Sequence, residues 1–125
     1  QKQIHTFPCD ELNDALQRIA SSHLARAREV SAFYLDLECS IRNVSACMRR
    51  GGHVCYVVGN RIVKNVQLPT DSVIRSFFES NGLTHVATFN RSIPNKRMPE
   101  RNSPSNVAGA VVSTMVREYI VVMTR

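Results

Sequence analysis

The residues of this chain best placed for chemistry lie in the run Arg49-Arg50-Gly51-Gly52-His53-Val54-Cys55-Tyr56-Val57-Val58-Gly59-Asn60-Arg61. His53 to Val58 is rich in β-branched and aromatic side chains and reads as a strand; Gly59, Asn60 and Arg61 form a polar turn at its carboxyl end. Ligands of open α/β sheets bind beyond the carboxyl ends of the strands, so these three residues are candidates for lining a pocket. The Asn60 carboxamide can donate and accept hydrogen bonds without ionising, which suits it to a base edge or to backbone. As plain sequence, Gly-Asn is equally a strand-ending turn.

A second group is cationic. Arg91, Lys96, Arg97 and Arg101 fall within eleven residues, offset only by Glu100, and Asn102 and Asn106 follow. Arginine and lysine neutralise phosphates, and asparagine and arginine read base edges, so all six are candidate nucleic-acid contacts. The bland alternative is a solvated charge run. With no tryptophan and Phe89 as the nearest aromatic, a base-stacking platform has little support.

Other chemistry is poorly represented. Cys9, Cys39, Cys47 and Cys55 contain no CxxC pair and read as reduced core thiols. His5, His23, His53 and His85 are scattered and no HExxH occurs, so no metal is expected. Asp36, Glu38 and Glu118 make no recognisable acid–base pair, and no catalytic residue is assigned. Glu118 is either a partner for the basic loop's arginines or a lone carboxylate on a strand. Phe33, Tyr34, Phe77 and Phe78 sit at helical spacing and are expected in the core.

The whole chain agrees with a basic, globular reading. Its 125 residues are one domain's worth at most, and 43% hydrophobic content excludes disorder. A net charge of +6 and a pI near 9.6 favour a polyanionic partner. No apolar run approaches the roughly 20 residues that span a bilayer, and Gln1 to His5 lacks a signal peptide's apolar core. A cytoplasmic location is expected.

The elements that position these residues follow from periodicity. After an irregular lead-in over 1–9, Asp10 is a plausible N-cap for a helix over about 10–25. A second helical pattern runs from Val30 to Met48 and ends at Gly51-Gly52, with Arg49 and Arg50 complementing its negative end. A single long helix through Ala25 to Arg28 is the alternative. Beyond strand 53–58, a connection with a short extended piece at Ile62-Val63 leads to a third helix, opened by Pro69-Thr70-Asp71 and stopped by Asn81-Gly82. Thr70 and Asp71 are both candidate caps. Residues 83–90 and 118–124 read as strands, an antiparallel pair, whereas 53–58 and 83–90 are joined by a crossover. The long connection carries Pro94, Pro99 and Pro104 and reads as a loop, of a length that is usually functional.

From Tyr34 onward the Arg-Arg-Gly-Gly helix end, Val-Cys-Tyr-Val-Val-Gly-Asn, Leu-Pro-Thr-Asp, Phe-Phe-Glu-Ser-Asn-Gly-Leu, Arg91-Ser-Ile-Pro-Asn-Lys-Arg-Met-Pro and Glu118-Tyr-Ile-Val-Val form a set. This set resembles the C-terminal half of class I S-adenosylmethionine-dependent methyltransferases, most closely the bacterial DNA amino-methyltransferases of N6-adenine and N4-cytosine type. The resemblance covers about 28–125, with 1–27 as a helical lead-in. It implies an α/β fold, the C-terminal part of a Rossmann-like sheet in the order helix-helix-strand-helix-strand-strand. Strand 53–58 would be the fifth of seven and the last two the antiparallel closing pair. It also implies S-adenosylmethionine as cofactor, DNA as partner and a restriction-modification setting. Two family motifs are missing: the glycine-rich cofactor turn and the Asp/Asn-Pro-Pro-Tyr tetrapeptide. The expectation is therefore a piece that completes the sheet and supplies target-side contacts but is inactive alone. Strand 53–58 would need a missing N-terminal half, or a second chain, beside it. A nucleic-acid-binding module with a partial methyltransferase fold, and an RNA or small-molecule methyltransferase, are the alternatives.

Overall fold

The computed structural model describes residues 3–93, 101–102, 112–113 and 117–125, and for 101–102 and 112–113 the backbone alone. The first two apolar stripes become α1 (Asp10–Ala20) and α2 (Leu24–Cys47). On α1, Leu12, Ala15, Leu16 and Ile19 are buried, the spacing of one helical face. Asp10 is the first helical residue and not the cap. Cys9 holds the cap position without a side-chain bond, while Asn13 pins the entering chain, accepting from the Phe7 N–H at 2.9 Å and donating to its carbonyl at 2.8 Å. The helix stops at Ala20, earlier than periodicity suggests, and a turn over 21–23 separates it from α2.

α2 ends at Cys47, ahead of the glycine pair. Gly51 takes the left-handed conformation (φ 82°), and a Cβ at Gly52 would lie 2.9 Å from the Arg49 carbonyl oxygen, so both glycines shape the turn into the sheet. The cation bonded to carbonyls at this helix end is Arg125. Its Nη1 donates to the Ser45 carbonyl at 3.2 Å and to the Met48 carbonyl, and its backbone exchanges bonds with Gly51 and Gly52.

β1 (His53–Val58) follows, then a hairpin of β2 (Ile62–Val63) and β3 (Val66–Gln67). Lys64 and Asn65 carry the two positive φ angles that its two-residue turn requires. Next come α3 (Thr70–Ser80) and β4 (Thr84–Ser92). Pro69 occupies the cap position of α3, so neither Thr70 nor Asp71 caps it. A two-residue ladder of β5 (Arg101–Asn102) and β6 (Val112–Ser113) interrupts the expected loop, and β7 (Arg117–Thr124) closes the chain.

The main sheet has the order β1-β7-β4, with β7 antiparallel to both neighbours. β4 and β7 thus form the antiparallel pair expected from their direct connection. β1 and β4 run parallel with β7 between them, joined by α3, which packs on all three strands. Val73, Ile74, Phe77 and Phe78 from α3 meet Val121 and Met123 from β7 in a core shared with α1 and α2.

Two expectations about burial fail. Tyr34, Phe77 and Phe78 are buried, but Phe33 is 59% exposed. Cys9 is buried, whereas Cys39, Cys47 and Cys55 are exposed free thiols on outward positions of α2 and β1. Apolar neighbours in sequence do not bury a residue whose own position faces outward. Phe77→Ala is therefore expected to cost about 3–5 kcal/mol, and Phe33→Ala below about 1 kcal/mol. Urea unfolding midpoints measure both, and equal losses would place Phe33 in the core.

Candidate functional site at the carboxyl end of β1

A cavity of about 340 Å³ opens where β1 ends. α2 supplies Arg26, Glu29, Val30, Phe33 and Tyr34, spaced i, i+3, i+4, i+7 and i+8 along one side of the helix. Val58, Gly59 and Arg61 come from the end of β1, Val63 from the hairpin, and Leu68 and Thr70 from the entry to α3. The hairpin closes this side because Val63, Val66 and Leu68 are buried against the core.

Polar groups of graded burial stand around this apolar space. The Tyr34 hydroxyl lies 2.8 Å from Thr70 Oγ1 in a buried pair. Burial raises the Tyr34 phenol above its ordinary value; the Thr70 bond opposes this, Cys9 adds to it and Arg61 opposes it. At the rim, Arg26 Nη1 meets Glu29 Oε2 at 2.6 Å in an exposed pair one helical turn apart. Such a pair contributes about 0.3–0.5 kcal/mol and chiefly fixes the two side chains. Arg61 makes no ion pair among the described residues, leaving a cation beside the aromatic wall.

The residues singled out from the sequence separate here. Gly59 and Arg61 line the cavity. Asn60 is instead bound to Asp71: its Nδ2 donates to Asp71 Oδ1 at 2.8 Å, and its Oδ1 accepts the Asp71 N–H at 3.2 Å. The carboxamide thus joins the end of β1 to the first turn of α3. Arg91 stands opposite Glu118 across β4 and β7, its Nε and Nη2 donating to Glu118 Oε2 at 2.9 and 2.6 Å. Glu118 is therefore the partner of a basic residue rather than a lone carboxylate. Lys96, Arg97 and Asn106 lie outside the described residues, and Arg101 and Asn102 are placed by backbone only.

Strand register brings the two candidate groups to one edge. Val58 and Asn90 both pair with Tyr119, so Gly59 to Arg61 and the start of the basic stretch leave the sheet at the same end. Sequence reasoning does not single out Arg26, Glu29, Phe33 and Tyr34 as cavity walls. The signal that could find them is the mixture of charged and aromatic residues on one face of α2. No cluster of three potential metal ligands occurs among the described residues, and no described helix is long and apolar enough to cross a membrane.

No protein-family model matches the chain. Over 98 residues, 78% of its length, it is 42% identical to the type II methyltransferase M.MvaI of Kocuria varians. The chain is thus similar to one part of a type II methyltransferase. It spans about a fifth of that relative, the match covering 22% of M.MvaI. The fold is also that of a protein from Thermus thermophilus assigned as a DNA modification methylase and crystallised with S-adenosyl-L-methionine. The TM-score is 0.53 at 20% identity, covering 77% of this chain and 38% of that one. The selenomethionine form of the Thermus protein gives 0.57 at 19% identity, covering 89% and 50%.

Two outcomes follow from the site geometry. Asn60→Ala removes both bonds to Asp71 and is expected to lower stability by about 1–2 kcal/mol in denaturant titration; no loss would mean that water replaces the amide. For Tyr34, a folded pKa above the unfolded value near 10 means stability that is complete below about pH 10 and lost as pH rises through the folded value. Tyr34→Phe should flatten the alkaline fall in stability, and an unchanged fall would assign it to other groups.

Proposed function

We propose that this chain supplies part of an S-adenosylmethionine-dependent methyltransferase that modifies an exocyclic amino group of a DNA base. The identity of 42% with M.MvaI over 98 residues carries this reading. The β1-β7-β4 sheet is consistent with it, β1, β4 and β7 serving as the fifth, sixth and seventh strands of a methyltransferase sheet. Residues 1–125 are then the C-terminal portion of one domain, in a cytoplasmic restriction-modification enzyme.

The cavity by itself does not fit the cofactor. Its one carboxylate, Glu29, is tied to Arg26, and the chain contains no glycine-rich turn to receive a methionine moiety. S-adenosylmethionine, which supplies the methyl group, is held by residues other than these. The contribution of this chain is positioning, which can account for several kcal/mol of a transfer barrier.

A base modified on its exocyclic amine must first leave the helical stack. Gly59 allows close approach of the base to backbone at the end of β1, and Asn60, held by Asp71, fixes the turn. Arg61 holds positive charge at the mouth, where the phosphates flanking an extruded nucleotide pass. Lys96, Arg97, Arg101, Asn102 and Asn106 contact DNA along the loop. Arg91 acts at its base, sharing its charge with Glu118. The outer edge of β1, which has no neighbour among the described residues, pairs with the N-terminal half of the methyltransferase.

The decisive experiment is methyl transfer by the protein as its host makes it, with radiolabelled cofactor and product analysis. N6-methyladenine or N4-methylcytosine in DNA is expected. Transfer to RNA or a small molecule, or DNA binding without transfer, would replace the proposal. Changing Lys96, Arg97 and Arg101 to Ala should lower the slope of log affinity against log salt by about 0.9 for each phosphate no longer neutralised. An unchanged affinity and slope would remove the loop from DNA binding.

A further inference from the structure

The hairpin of β2 and β3 divides its side chains by face. Val63, Val66 and Leu68 are buried against the core and β3 packs on α1, so the hairpin is fixed from beneath. Its base is closed by the Leu68 N–H, which donates to the Arg61 carbonyl at 2.8 Å. The side chains left outward, Arg61, Lys64, Asn65 and Gln67, are all exposed. Each offers N–H donors, and two are cations. No Asp or Glu occurs from Arg61 to Thr70, and the first carboxylate beyond, Asp71, is bonded to Asn60. Neither Arg61 nor Lys64 makes an ion pair among the described residues.

The turn itself runs against the ordinary choice of residues. Lys64 and Asn65 have φ of 49° and 64°, the left-handed region that glycine and asparagine tolerate and a lysine enters only under strain. Asn-Gly makes the same two-residue turn without that strain, so turn geometry does not account for lysine at this tip. Strain of this kind gathers where binding requires a particular side chain.

Arg61, Val63 and Leu68 belong both to the hairpin and to the cavity wall. The hairpin leaves the sheet at the same end as Arg91 and the basic connection. With β7 between β1 and β4, the two exits are two strand spacings apart, roughly 10 Å. We infer that the β2-β3 hairpin grips the DNA backbone on the β1 side of the cavity, across from the loop after β4. Lys64 and Arg61 neutralise phosphates there, and Asn65 and Gln67 donate to phosphate oxygens. The inference rests on the proposed function for DNA as the polyanion. Contacts of this kind fix the register of a duplex without reading its sequence, so the hairpin adds affinity for every sequence alike.

Lys64→Gly isolates the charge, because glycine keeps the positive φ and relieves its strain. Arg42→Ala is the control: it removes the same charge from an exposed position on α2, whose carboxyl end leads into the opposite end of β1. The protein as its host makes it is titrated with salt on a mixed-sequence duplex. Lys64→Gly is expected to lower affinity roughly tenfold near 50 mM salt, and the slope of log affinity against log salt by about 0.9. Its thermal midpoint should be no lower than that of the wild type. Lys64→Arg, which keeps the charge, should retain the slope, and Arg42→Ala should leave affinity and slope at their wild-type values. Equal losses for Lys64→Gly and Arg42→Ala, or no loss in either, overturn the inference and leave the DNA reading standing. So does a slope lost in Lys64→Arg. A wild-type protein without affinity for the duplex, whether or not it binds RNA, overturns both. Methyl transfer is assayed on the same preparations: DNA binding that depends on Lys64 without transfer keeps the hairpin contact and removes the enzymatic reading.

Discussion

The described structure depends on β7 lying between β1 and β4. Its pairing with both strands unites segments that the chain otherwise connects only through α3. Val121 and Met123, both buried, carry the contact with the helical layer from the centre of the sheet. Arg125 then continues the strand into the end of α2, where its guanidinium donates to the Ser45 carbonyl, which also accepts the Met48 N–H, and to the Met48 carbonyl. One short C-terminal stretch thus closes the sheet and bonds to the end of a helix across sequence separations of 77 and 80 residues. Such pairings across long sequence separations are costly to form.

That central strand also brings the two candidate segments to one end of the sheet. Because Tyr119 pairs with both Val58 and Asn90, the turn after β1 and the basic segment after β4 emerge together at one sheet edge. Two tethers hold this edge. Asn60 and Asp71 bind the β1 turn to α3, and Arg91 and Glu118 bind the mouth of the long connection to β7. The second tether is solvent-exposed and worth at most about 1 kcal/mol, so its role is orientation rather than stability. It also spends the positive charge of Arg91 on a carboxylate.

Much of this arrangement is legible in the residues, and the gaps have physical causes. The stripe Leu12, Ala15, Leu16 and Ile19 and the β-branched run at 53–58 announce their elements because a single period dominates each. The hairpin at 62–67 is only half visible in sequence, since Lys64-Asn65 lacks the glycine that usually marks such a turn. Phe33, Cys39, Cys47 and Cys55 mislead for one reason: type and local company indicate hydrophobicity, whereas burial depends on which face of an element meets a neighbour. Asn60 illustrates a different limit. A carboxamide after a strand suits a ligand or a structural partner equally well, and sequence does not reveal that Asp71 on α3 lies within reach of both its ends.

The outward cysteine and aromatic residues on the sheet join this account. A helix hides its apolar stripe against whatever lies nearest, so α1 and α3, with apolar residues on one side, are complete with the partners they have. The central strand is different: Val121 and Met123 face inward, Ile120 and Val122 face outward, and both sets are hydrophobic. A strand apolar on both faces belongs in the middle of three layers, not at the surface of two. At roughly 25 cal/mol per Å², the uncovered side chains of Val57, Val86 and Phe89 together represent several kcal/mol of burial free energy not yet realised. The composition of β7 and its central place in the sheet thus go with an apolar face left exposed among the described residues.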